Sequence, residues 1–544
     1  MLIVIGSGYR QSRKSVAINR IFSWVLDGYE KNTDSSIRPK FILKVLLLVL
    51  LTVIVALDPF GLGDGSDKKS NEIFYHVYSP FYPTTGREKI TVVLIDDETV
   101  ASGQMQWPPL FSQYEQLLNN ISYMQPSSIF LDALLMDKRG EAEDLEYFSE
   151  FLKNSRSGNT PIFFMQNNTL YADDEECARE SVKILPQISE SVTDTAFSNF
   201  EGFGGSYPIV GRSRCSRELL KSPALLLYES ACKSGAISNC LENIKDTENY
   251  HVLEDPMSIV WGNGTSNLNK RLHPDSYKNN TNGNSQNLCS SDAFGFWNKT
   301  VKSLGYFFGG VFTNASEINN LIFGQDEISK SDRCFYHTNV SAIDVLSMSD
   351  EKLLKEAFSN KIVLVGINLS GINDHINSPV QGLVPGVMGH AMALDNIISF
   401  GENYIRPPMS TVGALDADAL IEMAYIIVIE IIIMLAIWQS KLRVSEIKRS
   451  LKYIESIDKA HIWLLLYLLI AILLVILFVS INAFLIWVSF SQLNFDPVNW
   501  IGLSTISAAF LFTIREEADG LINLTIGRII EKFNGDPIPD NKQE

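Results

Sequence analysis

Residues 90–95 read ITVVLI, and two acids, Asp96 and Asp97, follow them directly. Apolar, β-branched residues without a polar alternation are typical of a strand that is buried on both faces of a sheet. Two similar apolar runs occupy residues 128–131 (SIFL) and 361–365 (KIVLV). These three runs predict the central strands of a parallel sheet.

Helical patterns separate the strand patterns. Apolar residues recur at helical spacing in residues 114–124, an acidic amphipathic stretch covers residues 143–152, and a third pattern covers residues 389–399. A further strand is predicted at residues 161–165. Strands that alternate with helices imply βαβ units, so the predicted fold is a doubly wound, Rossmann-like α/β domain.

Residues 166–360 lie between the two halves of this pattern and are rich in Asn, Ser and Gly. We interpret them as an insertion, in which the apolar runs at 258–261 and 304–312 could return strands to the sheet. An even number of cysteines confined to one region favours disulfides in an oxidising compartment, and buried thiols are the alternative. All six cysteines fall in the insertion, and sequence does not choose among their 15 pairings: Cys177, Cys215, Cys232, Cys240, Cys289 and Cys334.

Four apolar stretches have or approach the length of about 20 residues that spans a bilayer. Basic residues are concentrated in the leader, residues 1–40, and in the loop 439–461. Because Lys and Arg favour the cytoplasmic side, this pattern places both termini, including the tail 515–544, in the cytoplasm. The predicted transmembrane helices are residues 41–60, 415–438, 462–483 and 498–514.

This topology exports residues 61–414, and the charge distribution agrees with it. The exported segment holds 43 acidic and 27 basic residues, so it carries nearly all of the net charge of −17. An acidic surface repels the phosphate backbone, which argues against nucleic acid as a partner. The expected partners are the lipid bilayer and other protein subunits.

Candidate binding residues follow the predicted strands. In open α/β sheets, ligands bind beyond the carboxyl ends of the strands. Carboxylates that converge there suit a divalent cation such as Ca²⁺ or Mg²⁺, or the amine or hydroxyls of a small ligand, and helix capping is the structural alternative. No other cofactor is expected. The candidate ligand-binding residues are Asp96, Asp97, Trp107, Asp132, Asp374 and His390.

Two acids lie within the second predicted span. Glu422 and Glu430 are eight residues apart and share a broad face of a helix. Ionisable groups at membrane depth are costly and are often functional. We expect contacts with a partner subunit or a neighbouring helix rather than an ion path.

Several blocks of the sequence resemble one family. ITVVLIDDETV, Trp107-Pro108, SSIFLDALLMD and KIVLVGINLSGINDHINSPVQGLVPGVMGHAMALDNII occur in this order between the first and the last three predicted spans. This arrangement resembles the CHASE2 extracellular sensor domain of bacterial membrane receptors. The resemblance implies a periplasmic module, anchored in the inner membrane, that senses a ligand or stress.

The resemblance also implies that the domain passes its signal to a catalytic effector. Family members commonly continue into a catalytic output domain, whereas about 30 residues follow residue 514 here. The sequence contains no phosphate-binding loop or catalytic motif, so it predicts a non-enzymatic receptor subunit whose effector is encoded separately. Alternatives are a scaffold subunit of an envelope complex and an ion-conducting oligomer.

Overall fold

The computed structural model describes the chain from residue 62 to residue 497 with gaps. All the described residues belong to one compact unit, Gly61–Glu544. The described ranges are 62–158, 160–166, 184–197, 205–213, 219–241, 253–274, 296–312, 335–407, 410–412, 415–416, 480, 483–484 and 486–497.

The centre of the domain is a six-stranded sheet in which every neighbouring pair is parallel. Its spatial order is β4-β3-β2-β8-β1-β7. Strands β2, β3 and β4 lie successively further from β1 on one side, β7 lies on the other side of β1, and β8 then inserts between β1 and β2. The strands are β1 (Ile90–Asp96), β2 (Ser128–Leu131), β3 (Ile162–Gln166), β4 (Asp194–Phe197), β7 (Thr338–Ser341) and β8 (Ile362–Asn368). The parallel α/β sheet agrees with the expectation from the sequence.

Both faces of the sheet are covered, which explains the continuous apolar runs. Val92 and Leu94 of β1 enter one apolar core, whereas Val93 and Ile95 enter the other. Successive side chains of a strand point to opposite faces, so a strand between two cores needs apolar residues throughout. Leu364 of β8 likewise belongs to the first core.

Helices form the outer layers. Those on the second core include α3 (Phe111–Tyr123), α4 (Ala142–Ser157), α9 (Ala342–Ser347) and α10 (Glu351–Phe358). The first core is covered by α6 (Pro223–Ser234) and α11 (Gly386–Phe400). The other helices are α1 (Leu62–Tyr78), α2 (Asp97–Ala101), α5 (Pro186–Ser189), α7 (Asn267–Leu272) and α8 (Phe296–Phe312).

Short elements complete the described fold. Three antiparallel pairs are β5 (Val210–Arg212) with β6 (Leu219–Lys221), β9 (His375–Ser378) with β10 (Gly382–Pro385), and β11 (Ser410–Val412) with β12 (Leu415–Asp416). Three 3₁₀ turns cover Ser79–Phe81, Arg87–Lys89 and Gly401–Asn403, and Val488–Gln492 forms a π-helical turn.

The segment 166–360 takes part in the main sheet. It supplies both edge strands, β4 and β7, and a disulfide joins Cys232 to Cys240 across the end of α6. The apolar run 304–312, expected to form a strand, lies in helix α8. The other four cysteines fall outside the described residues.

The expectation of four transmembrane helices requires correction. Across the described ranges, no helix is both long enough and apolar enough to cross a bilayer. The predicted spans 41–60 and 498–514 lie outside these ranges, as do 415–438 and 462–483 apart from a few terminal residues. Leu415 pairs in a short hairpin instead of beginning a helix, because its backbone bonds to the strand Ser410–Val412.

Candidate functional site

Helix α11 lies close to the central strand β8 because Gly366 has no side chain. A Cβ atom at Gly366 would come within 2.4 Å of the Val387 Cβ on the helix. Such a distance is sterically excluded, so glycine permits the close approach of helix and sheet. This contact places the buried first half of α11 beside the carboxyl ends of the strands.

Asp132 and His390 meet in this position. Asp132 directly follows β2, and His390 lies in the second turn of α11. They are 7% and 5% exposed, and His390 Nε2 lies 3.9 Å from Asp132 Oδ2. Hydrogen bonds between nitrogen and oxygen are 2.7–3.2 Å long, so this contact is too long to be one. Among the described residues, the Asp132 carboxyl receives no hydrogen bond, although it is buried.

Tyr207 sets the orientation of the imidazole. Its hydroxyl is 2.9 Å from His390 Nδ1, and its oxygen accepts from the Ala224 backbone N–H at 3.4 Å and from the Ser222 side chain. Because the tyrosine oxygen accepts from the Ala224 N–H, we assign its proton to Nδ1. With this assignment, the neutral imidazole carries its own proton on Nε2, the nitrogen that faces Asp132.

The electrostatics of this contact follow from burial. Removal from water raises the pKa of Asp132 to about 7 and lowers the pKa of His390 to about 4. Burial disfavours the charged form of each group. Between these two values both side chains are mainly neutral, so the contact is not an ion pair. It is an imidazole N–H that faces a carboxyl across a gap.

Asp374 adds a second acid to the site. Burial, then the negative charge of Asp132, raises the pKa of Asp374 to about 6, while His390 and His375 lower it. A Cβ atom at Gly386 would come within 2.4 Å of Asp374 Oδ1, so the carboxyl packs directly on the start of α11. We call Asp132, Tyr207, Asp374 and His390 the His390 cluster.

The other predicted residues have local roles or lie elsewhere. Asp96 caps α2 by accepting from the Thr99 N–H at 2.9 Å, and it also accepts from the Ser341 hydroxyl. Asp97 accepts from the backbone and hydroxyl of Ser370, which follows β8. Helix capping was the structural alternative for these acids, and Asp96 performs it.

Trp107 is half-buried in the loop before α3 and precedes a cis proline bond. Within the described contacts, no hydrogen bond or ring contact joins it to the His390 cluster. Glu422 and Glu430 lie outside the described residues. In the described part of the chain, no group of three or more His, Cys, Asp or Glu side chains could hold a metal ion.

A second buried histidine–aspartate contact lies further along α11. His337 Nε2 is 3.0 Å from Asp395 Oδ2, and the side chains are 1% and 0% exposed. Asp395 Oδ1 also accepts from the hydroxyls of Tyr82 at 3.0 Å and Ser399 at 2.9 Å. We call these four residues the Asp395 cluster; here every carboxyl oxygen has a donor.

Sequence reasoning missed Tyr207 and the whole Asp395 cluster. Tyr207 lies in the Asn-rich region and reaches His390 across 183 positions of sequence. No local pattern marks such a contact. Asp395 did carry a signal, since an acid inside the apolar helix pattern GVMGHAMALDNII needs buried donors.

Comparison with protein families gives one match. The family model described as CHASE2 domain, a sensor domain, matches residues 46–434. Neither the curated proteins nor the solved structures contain a match. The matched range covers more than half of the chain and includes the whole six-stranded sheet and the His390 cluster. The chain therefore belongs to the CHASE2 domain family.

Proposed function

We propose that this sensor domain detects a small polar molecule at the His390 cluster and passes the change to an effector protein. The observation that carries the proposal is the Asp132 carboxyl, which is 6% exposed, receives no hydrogen bond from the described residues and lies 3.9 Å from His390 Nε2. Most nearly buried polar groups have a protein partner, so the hydrogen-bonding capacity of this carboxyl remains open to solvent or to a ligand. Its retention beside a second acid supports a binding role.

The geometry indicates the chemistry of the ligand. A hydroxyl group could lie about 2.8 Å from both Asp132 Oδ2 and His390 Nε2, accepting from the imidazole N–H and donating to the carboxyl, because two such distances easily span the separation of these atoms. The two acids, Asp132 and Asp374, disfavour an anionic group. We therefore propose a ligand that offers hydroxyl groups, such as a polyol, and primary amines serve as the comparison in the test.

Signalling requires two states with different affinities for the ligand. Helix α11 is suited to report the change, because it carries His390 in its second turn and Asp395 in its third. A ligand group that bridges Asp132 and His390 would tie the start of α11 to the end of β2. The Asp395 cluster holds the other part of the helix in place.

We place this domain in the periplasm of a bacterial cell. The disulfide between Cys232 and Cys240 supports an oxidising compartment. The acidic character of residues 61–414 supports export across a membrane. The effector and the association with the inner membrane are parts of the same proposal.

The experiment uses the purified full chain and a panel of polyols, sugars and primary amines. Thermal shifts identify binders, and calorimetry then measures the Kd for the wild type, Asp132→Asn and Asp137→Asn. Asp137 is an exposed acid five residues further along and serves as the matched control. We expect Asp132→Asn to weaken binding at least tenfold and Asp137→Asn to leave it unchanged. A binder with equal affinity for all three proteins would exclude the His390 cluster.

A further inference from the structure

We propose that residues 486–497 form a releasable strap, held on helix α1 by the carboxyl of Asp496. In the docked state the strap helps to hold the end of α1 against the domain; in the undocked state this end of α1 loses the contact while the central sheet stays folded. This proposal concerns the way in which a signal leaves the domain, and it does not depend on the His390 cluster.

The Asp496 carboxyl joins three distant parts of the chain. Tyr75, near the end of α1, donates its phenol hydrogen to Oδ1. Ser258 donates its hydroxyl to Oδ2 at 2.5 Å. The two donors are 183 residues apart in sequence, so the carboxyl acts as a clamp between α1, the buried stretch at 257–261 and the strap.

The backbone of the strap makes a minimal contact with the domain. The Arg406 N–H donates to the Asn494 carbonyl at 2.8 Å, and the Asp496 N–H donates to the Arg406 carbonyl at 3.0 Å. These bonds form one isolated parallel bridge between Arg406 and Phe495. By comparison, β1 and β8 pair along seven residues. The strap can therefore separate without disturbing a sheet.

One aromatic side chain anchors the strap. Phe490 is 7% exposed, and its ring centroid lies 4.8 Å from that of Phe74 and 4.7 Å from that of Tyr78. Its neighbours Trp487 and Leu493 remain 51% and 44% exposed. The strap thus buries a single large side chain, on the same helix that the Asp496 clamp engages.

The charge balance of the clamp also favours release. Burial raises the pKa of Asp496 to about 6, and only the hydroxyls of Ser258 and Tyr75 act in the opposite direction among the described residues. The nearby guanidinium of Arg406 instead packs on the Tyr404 ring and pairs with Asp255 at 3.4 Å. An ionised carboxyl held by two hydroxyls is weakly stabilised in a buried site.

The test is hydrogen exchange of the purified full chain, followed by mass spectrometry. Peptides from the strap, from α1 and from β8 are compared for the wild type, Asp496→Ala and Tyr75→Phe. Tyr78→Phe is the matched control, because it removes a phenol hydroxyl one turn further along α1 and keeps the ring that packs on Phe490. Tyr75→Phe removes only the hydroxyl donor, so it tests the clamp even if the alanine variant misfolds.

We expect Asp496→Ala and Tyr75→Phe to raise exchange in the strap and in α1 at least fivefold, with β8 unchanged. Tyr78→Phe should match the wild type. Two outcomes would overturn the proposal. In one, strap and β8 lose protection together, which would make the strap an integral part of the fold. In the other, Asp496→Ala leaves the exchange of the strap unchanged, which would remove Asp496 as its clamp.

Discussion

Helix α11 carries two buried histidine–aspartate contacts that differ in completeness. His390 and Asp395 are five residues apart, about 140° around the helix, so they serve different sides of it. In the Asp395 cluster the nitrogen and oxygen are 3.0 Å apart, and in the His390 cluster they are 3.9 Å apart. Similar groups with similar burial are thus fully paired in one place and unpaired in the other.

The difference separates a structural network from a candidate binding site. Three donors converge on the Asp395 carboxyl, so its burial is compensated and it ties α11 to Tyr82 and His337. The Asp132 carboxyl has no such compensation within the described residues. A buried polar network stabilises a fold when it is fully satisfied, and an unsatisfied group invites another explanation.

The largest loss of stability is expected from a variant that removes the central acceptor of the Asp395 cluster. Asp395→Ala leaves the His337 N–H and the hydroxyls of Tyr82 and Ser399 without their acceptor. We expect the free energy of unfolding at pH 6 to fall by about 4 kcal/mol. Asp132→Ala, which removes a carboxyl without a donor, should cost less than about 1 kcal/mol. Urea denaturation measures both; equal losses would abolish the distinction between the clusters.

The pH dependence of the free energy of unfolding tests the burial of Asp132 and His390. The folded pKa of Asp132, about 7, is above its ordinary value of 3.8, so the folded state retains a proton that the unfolded state has released. Asp132 therefore makes the free energy of unfolding fall as the pH rises from about 4 to about 7. The pKa of His390 is lowered from 6.5 to about 4 in the folded state. His390 therefore makes the free energy of unfolding rise as the pH increases from about 4 to 6.5.

Asp132→Asn removes only the first contribution. The stability difference between this variant and the wild type should be near zero at pH 4 and should grow to about 4 kcal/mol in favour of the variant at pH 8. Asp137→Asn supplies the reference, since its carboxyl is exposed. A difference that does not vary with pH would mean that Asp132 is not a buried acid.

Alanine substitutions at Gly86 and Gly386 compare how rigidly Asp395 and Asp374 are held in place. A Cβ atom at Gly86 would lie 2.4 Å from Asp395 Oδ1, and one at Gly386 would lie 2.4 Å from Asp374 Oδ1. Asp395 is held by three donors and cannot yield, so Gly86→Ala should cost about 2 kcal/mol. Asp374 is partly exposed, so Gly386→Ala should cost less than about 1 kcal/mol. Thermal unfolding distinguishes them, and a reversed order would contradict the comparison.

The last comparison concerns the tyrosine donor of each cluster. Tyr207→Phe removes the donor to His390 Nδ1 and should cost about 1 kcal/mol, because the bond joins neutral groups. Tyr82→Phe removes a donor to the Asp395 carboxyl and should cost about 2 kcal/mol. Nitrogen NMR of His390 gives a second measurement: without Tyr207 the proton should distribute between Nδ1 and Nε2. An unchanged signal would contradict the assigned tautomer.

The sequence predicted the parts of the fold that depend on local pattern. The range 128–131 matches β2, and the predicted strands at 90–95 and 361–365 differ from β1 and β8 by at most three residues at an end. These strands are recognisable because burial on both faces demands continuous apolar runs. The edge strands β4 and β7 were missed, since they are short, partly polar and embedded in an Asn-rich segment.

The candidate site was predictable in part for the same reason. Asp132 and Asp374 follow central strands, so the sheet topology brings them near His390. Asp96 follows a strand too, but the helix start at Asp97 takes its carboxyl as a cap. The hydropathy pattern that predicted membrane helices considers each segment alone, and it could not foresee that Leu415 pairs with Val412 in a short hairpin.

The order of strands in the sheet has a consequence for biosynthesis. Strand β1 has β7 and β8 as its neighbours, and their pairing residues are synthesised about 250–270 positions later. At roughly 5–20 residues per second, the ribosome needs on the order of 10–50 s to deliver them. During this interval the ITVVLI segment is an unpaired, apolar strand with two open edges. The central strand of the sheet therefore stays without its partners until residue 368 has emerged.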